Sequence, residues 1–157
     1  MNDHQADLRV SGLAIRFREI GDTQMRDLPF YNANLEVEAF GFSEFSDDSL
    51  MGVLITPWFM NLIVLPLGFE PLQANRHGQS RAILLPSGER RFRYGGDEVV
   101  GAFWADSLHS PMQKFASPGH ARGEARARLA EALKHPPAVT AVPSPSRRAF
   151  LMGARTT

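Results

Sequence analysis

Between Gly52 and Pro66 the chain reads Gly-Val-Leu-Ile-Thr-Pro-Trp-Phe-Met-Asn-Leu-Ile-Val-Leu-Pro, fifteen residues without a charge. This run limits the fold more than any other stretch. It is too short and too β-branched for a membrane helix, which needs about 20 apolar residues. Val53 and Ile55 alternate with Leu54 and Thr56, and Met60, Leu62 and Val64 alternate with Asn61, Ile63 and Leu65. Both faces of each half are therefore apolar, the pattern of strands buried on two sides. Pro57 cannot donate to a ladder and holds Thr56 extended, so Thr56-Pro57-Trp58 is a corner between two central strands.

The flanking sequence supplies the rest of a sheet and two helices. From Leu13 to Met25, Leu13, Phe17, Ile20 and Met25 follow helical spacing, Ser11 offers a cap and Leu28-Pro29 a stop. Leu35 to Phe45 alternates at period two, Leu35, Val37 and Ala39 against Glu36, Glu38 and Phe40, as a half-exposed antiparallel strand does. Ser46-Asp47-Asp48-Ser49 is a turn by its short polar side chains. Leu67 to Gln79 carries Gly68, Pro71, Asn75 and Gly78 and marks a loop. Ala82 to Pro86 and Arg90 to Tyr94 form a hairpin across Ser87-Gly88, and Ala102 to Pro111 is a further strand. A second helix starts at Ser117-Pro118 and stops at Pro136-Pro137, with Ala121, Ala125, Leu129, Ala132 and Leu133 on its apolar side. The expected fold class is α+β, an antiparallel sheet of about five strands packed mainly on one face by two principal helices. One domain is expected over residues 8–153, with residues 1–7 and 154–157 as flexible termini.

Three constellations invite a chemical reading. In Arg90-Arg91-Phe92-Arg93-Tyr94, Arg91 and Arg93 share one face, a basic row interleaved with aromatics. It fits either single-stranded nucleic acid or an edge strand whose arginines stay solvated. Asp106, Ser107, His109 and Ser110 hold the residue types of a hydrolytic triad, yet strand alternation points Ser107 and His109 to one face and Asp106 to the other, and no Gly-x-Ser-x-Gly elbow is present. The five His residues lack the spacing of a metal site. Zero Cys removes thiolate metal sites, disulfides and cysteine nucleophiles together. With 17 bases and 17 acids the net charge is zero, but residues 1–75 hold 11 acids and 4 bases while residues 76–157 hold 6 and 13. Neither a basic n-region nor an apolar h-region opens the chain, so a protein kept in the cytoplasm, with no membrane partner, is expected.

Five motifs in order resemble the [NiFe]-hydrogenase assembly chaperones of the HybE family. They are Asp27-Leu28-Pro29-Phe30; Ile55-Thr56-Pro57-Trp58; Leu84, Pro86 and Gly88 followed by Phe92; Ser107-Leu108 with Ser110-Pro111-Met112; and Arg147-Arg148-Ala149-Phe150-Leu151 with Gly153. The resemblance implies an accessory chaperone rather than an enzyme, binding the large or small precursor subunit of a nickel–iron hydrogenase during cofactor insertion and before twin-arginine export. Other maturation proteins are further candidate partners, and no cofactor of its own is implied. Some relatives carry an attached rubredoxin module; a chain without Cys has no thiolate for such a site. A chaperone needs a reversible apolar contact surface with a charged rim. The expected partner-binding residues are Pro57, Trp58, Phe59 and Met60 at the corner, with Met112, and Arg91 and Arg93 on the rim. Arg147, Arg148 and Phe150 join them, because Arg147-Arg148-Ala149-Phe150-Leu151 reads like the core of a twin-arginine signal, a mimic of a client signal or else a docked C-terminus. The alternative function is a nucleic-acid-binding module built on Arg90 to Tyr94.

Overall fold

A computed structural model describes residues 3–136. In chain order the elements are α1 (Asp3–Ile20), a π-helical turn (Gly21–Met25), β1 (Glu38–Ser46), β2 (Ser49–Ile55), β3 (Met60–Pro66), a 3-10 turn (Ala74–Arg76), β4 (Ser80–Leu85), β5 (Gly88–Asp97), β6 (Gly101–His109) and α2 (Pro118–Leu133). The apolar run is the β2–β3 hairpin, paired antiparallel from Ser49 opposite Pro66 to Ile55 opposite Met60. Thr56 holds the corner: its amide donates to Phe59 O at 2.8 Å, and its hydroxyl oxygen accepts from the amides of Trp58 at 3.2 Å and Phe59 at 2.9 Å. Thr56 is wholly buried, so a local network satisfies a polar group that would otherwise cost about 1–3 kcal/mol.

The sheet has six strands in the order β1-β2-β3-β6-β5-β4, every neighbouring pair antiparallel. The expected α+β class and antiparallel sheet hold; the strand count is six rather than about five. The two helices lie on opposite faces rather than mainly on one. Alternation along β2 explains this, since Met51, Val53 and Ile55 join the cluster under α2, with Ala121, Ala125 and Leu129, whereas Leu50 and Leu54 join Leu13 and Phe17 of α1. A strand apolar on both faces requires a cover on each. Nor is β5 an edge strand, because β4 lies outside it.

Helix α2 begins as expected. The hydroxyl of Ser117 accepts from the His120 amide at 3.1 Å and Pro118 follows, a cap worth about 1 kcal/mol. Helix α1 starts earlier than Ser11 suggests, so residues 3–7, expected to be a flexible terminus, are helical, and Gln5 donates to Leu67 O at 3.2 Å. Arg16 binds the Asp97 carboxylate at 2.9 and 3.0 Å and so pins α1 to the β5–β6 turn.

Two bulges in β1 redirect its aromatics. Between the Phe40–Val53 and Ser43–Met51 pairs an extra residue enters at Gly41-Phe42, with Gly41 at φ +69°, and a second shift falls at Phe45. Phe40 and Phe45 therefore pack toward α2 while Phe42 packs on the α1 face. Leu35 and Val37, expected on one strand face, precede β1 and enter opposite clusters.

Candidate functional site

Of the residues expected to meet a partner, Pro57, Trp58, Met60 and Met112 are buried, Phe59 is half-buried, and Arg91 and Arg93 are exposed. Trp58 packs as a core ring, stacked on Tyr31 with centroids 6.1 Å apart and edge-on to Phe59 at 5.6 Å. Met60 and Met112 belong to the cluster under α2. The Met112 loop is held by Asn32, whose Nδ2 donates to Met112 O at 2.9 Å and Phe115 O at 2.8 Å. Arg147, Arg148 and Phe150 lie outside the described residues.

The exposed apolar side chains gather elsewhere. Leu8 (61% exposed), Phe69 (56%) and Val99 (60%) surround a groove of about 280 Å³, completed by Gln5, Arg9, Gly12, Leu67, Gly68 and Val100. Leu8, Gly12 and Ile15 lie at i, i+4 and i+7 on one face of α1, and Ile15 is itself 54% exposed. Apart from its chain neighbours and the backbone of α1 itself, no described atom lies within 4 Å of where a Gly12 side chain would begin, so the glycine leaves an open notch between Leu8 and Ile15. Phe69 sits over Gly101, where a Cβ would come within 3.0 Å of its ring, and the Ala102 amide fixes the preceding loop by donating to Glu70 O at 2.7 Å.

Arg9 fastens the floor. Its Nε donates to Pro66 O and its Nη1 to Val100 O, each at 2.9 Å, while its buried Nη2 has no partner among the described residues. Burial lowers the guanidinium's pKa, opposed by the charge of Glu70. At Asp97, burial alone would raise the carboxyl, and hydrogen bonds from Arg16 and the amides of Val99 and Val100 outweigh it, leaving the pKa below its ordinary value. The groove thus has a fixed backbone and an apolar lining, which suits docking rather than bond making.

The triad residues do not assemble. A bulge at Leu108, between the Asn61–Ser107 and Met60–His109 pairs, turns His109 toward α2 instead of leaving it beside Ser107. His109 Nε2 lies 2.6 Å from Glu124 Oε2, and Arg90 Nε donates to Asp106 at 2.6 Å. The His109 hydrogen bond, with Arg128, holds the Glu124 carboxyl below its usual pKa. Among the described residues no group of three His, Asp or Glu side chains is placed to hold a metal ion. On the basic row Arg90 is paired, while Arg76 of the 3-10 turn and Arg81 of β4 lie over the rings of Tyr94 and Trp104, at 4.4 and 5.6 Å from the centroids.

Comparison with known proteins gives one consistent result. The family model described as [NiFe]-hydrogenase assembly, chaperone, HybE matches residues 8–153. A hydrogenase expression/formation protein HupJ from Bradyrhizobium diazoefficiens is 38% identical over 154 residues, covering 92% of this chain and 87% of that protein. A probable rubredoxin HupJ from Rhodobacter capsulatus is 38% identical over 134 residues; the alignment covers 85% of this chain but 48% of that protein. The solution structure of HybE from Escherichia coli superposes with a TM-score of 0.62 at 26% identity, covering 91% of this chain and 88% of that one.

Proposed function

The chain belongs to the HybE family of [NiFe]-hydrogenase assembly chaperones, and from that premise we propose that it holds a precursor subunit of a nickel–iron hydrogenase in the cytoplasm. It does so while the metal cofactors are inserted and until twin-arginine export. The observation that carries the client-contact part is the convergence of Leu8, Phe69 and Val99 on one groove, with Ile15 along the same helix face. Large apolar side chains more than half exposed and grouped together are what a reversible docking surface requires.

With Pro57, Trp58, Met60 and Met112 buried, client contact passes from the corner to this groove, and Phe59 contributes only its exposed edge. Arg91 and Arg93, exposed on β5, remain the rim groups proposed to steer the encounter. Among the described residues no helix is long and apolar enough to cross a membrane.

A tagged full chain, purified from cells making a nickel–iron hydrogenase, is expected to bring down a hydrogenase subunit. Recovery of none would sink the proposal. The double variant Leu8→Asp, Phe69→Asp is expected to abolish recovery with melting unchanged; undiminished recovery would move the client off the groove.

A further inference from the structure

Strands β1 and β4 stand at opposite ends of the strand order, each paired on one side only among the described residues, by β2 and by β5. Yet Phe45 of β1 and Leu84 of β4 line the same two cavities, of about 380 and 730 Å³. The sheet therefore curls until its two unpaired edges border one trough. This trough is separate from the α1 groove and shares none of its lining residues. Leu84, at 74% exposed, has the highest exposure of any large apolar side chain among the described residues, and it stands on the trough wall with Phe45 and Ile83. Unpaired edges beside exposed apolar groups are what an extended peptide binds, through main-chain hydrogen bonds and alternate side chains.

The two ends of the trough differ. One is lined by Leu133, His135 and Pro136, where the described chain leaves α2; the other by Asp48, Glu70 and Arg81, whose guanidinium lies over the Trp104 ring, so this end keeps two carboxylates to one cation, with Val64 and Trp104 between the walls. Among the described residues neither Asp48 nor Glu70, nor Glu44 on the wall, forms a salt bridge. The sequence beyond Pro136 complements this arrangement. Pro137, Pro143 and Pro145 disfavour a helix, Val139 and Val142 supply apolar side chains, and residues 137–157 contain Arg147, Arg148 and Arg155 but no acid. The six residues of β4 extend about 20 Å. Arg147 lies eleven residues beyond Pro136, a reach of up to about 36 Å, so a chain entering at Pro136 and running antiparallel to β4 has length to spare to bring Arg147 and Arg148 to the acidic end without being fully extended.

We propose that the trough between the β1 and β4 edges is a peptide-docking site occupied by the chain's own segment 137–148, with Val139 and Val142 against Leu84 and Phe45 and the two arginines on Asp48 and Glu70. The docked segment covers both sheet edges in one step. It also gives Arg147 and Arg148 a role that needs no export machinery. The proposal is independent of which client the α1 groove binds.

The absence of Cys makes the test clean. Ala149→Cys in the full chain carries a single nitroxide, and relaxation enhancement is read on backbone amides at low salt. The expected result is selective broadening of residues 44–49, 70 and 81–84, reduced at least fivefold by Arg147→Glu with Arg148→Glu, by Leu84→Glu, or by 0.5 M salt. Leu84 lies outside the core, and the same spectra report the fold. Uniform weak broadening, or broadening confined to the Leu8 and Phe69 groove, would overturn the proposal. So would broadening that appears only between a labelled chain and a separate isotope-enriched chain, because the occupant would then be a second copy.

Discussion

Replacing Trp58 by Ala separates a core role from a contact role more sharply than any other change in this chain. The ring is 8% exposed, stacked on Tyr31 at an interplanar angle of 20° and edge-on to Phe59 at 77°. The end of α1 leans on it as well, since a Cβ at Gly21 would lie 3.1 Å from Trp58 Cζ3. Burying an aromatic side chain removes about 150–250 Å² from water, and truncating one to Ala costs about 3–5 kcal/mol once the cavity is included. Against a total stability of about 5–15 kcal/mol this is a large fraction. At about 2–4 °C per kcal/mol for a chain of this size, the melting temperature should fall by about 6–20 °C. Calorimetry and far-UV circular dichroism read this directly, and Trp104 keeps a fluorescent reporter in the variant. Trp58→Phe, which retains a ring against Tyr31, should lose less than half as much. An unchanged melt with lost subunit recovery would refute the core assignment and return the corner to the client surface.

Gly52→Ala should destabilise by about 1–3 kcal/mol in urea titration, because the new Cβ would meet the Phe42 ring and lie 2.8 Å from Phe42 Cα; an unchanged midpoint would mean that the β1 bulge yields freely. Asp97→Asn tests the pin on α1 through pH. The native carboxyl has its pKa depressed, so its stabilisation is full above the unfolded value of about 3.9 and is lost as pH falls through the lower folded value. The gap between native and Asn proteins should therefore be largest and level near pH 7, begin to close below about pH 4 and vanish only below the folded value; a constant gap would refute the pairing as its source. The exposed pair Leu8→Asp and Phe69→Asp should change stability by less than about 0.5 kcal/mol each, and a larger loss would show that the groove is structural.

Much of this fold is legible in local chemistry. The β2–β3 hairpin, the β4–β5 hairpin and the Ser117 cap each follow from residues that act on their immediate neighbours, although the β4–β5 turn falls at Pro86-Ser87, one residue ahead of Ser87-Gly88, with Gly88 already paired to Leu85. Spacing alone fails where a bulge intervenes. Period-two alternation groups Ser107 with His109 and Phe40 with Phe42, and the extra residues at Leu108 and Gly41-Phe42 separate both pairs. Gly41 was the available signal, a glycine inside a strand pattern that marks a bulge. For Leu108 the sequence carries no such mark, since the residue there is an ordinary apolar one.

The exposed apolar groove escapes a sequence reading for a different reason. Apolar runs direct attention to the centre of a sheet, yet a run apolar on both faces is the one most completely covered, here by α1 on one side and α2 on the other. A contact surface is more visible where an amphipathic pattern is too wide for its core. Helix α1 buries Leu13, Ala14 and Phe17, and still carries Leu8 and Ile15 on a face that packing does not use. Those two side chains retain most of their exposure, so the folded chain alone recovers little of the hydrophobic free energy they could contribute. The excess has a use only when a second surface covers it. Charged substitution at Leu8 and at Trp58 should therefore be told apart by stability, the first sparing it while costing recovery of the client, the second destroying both.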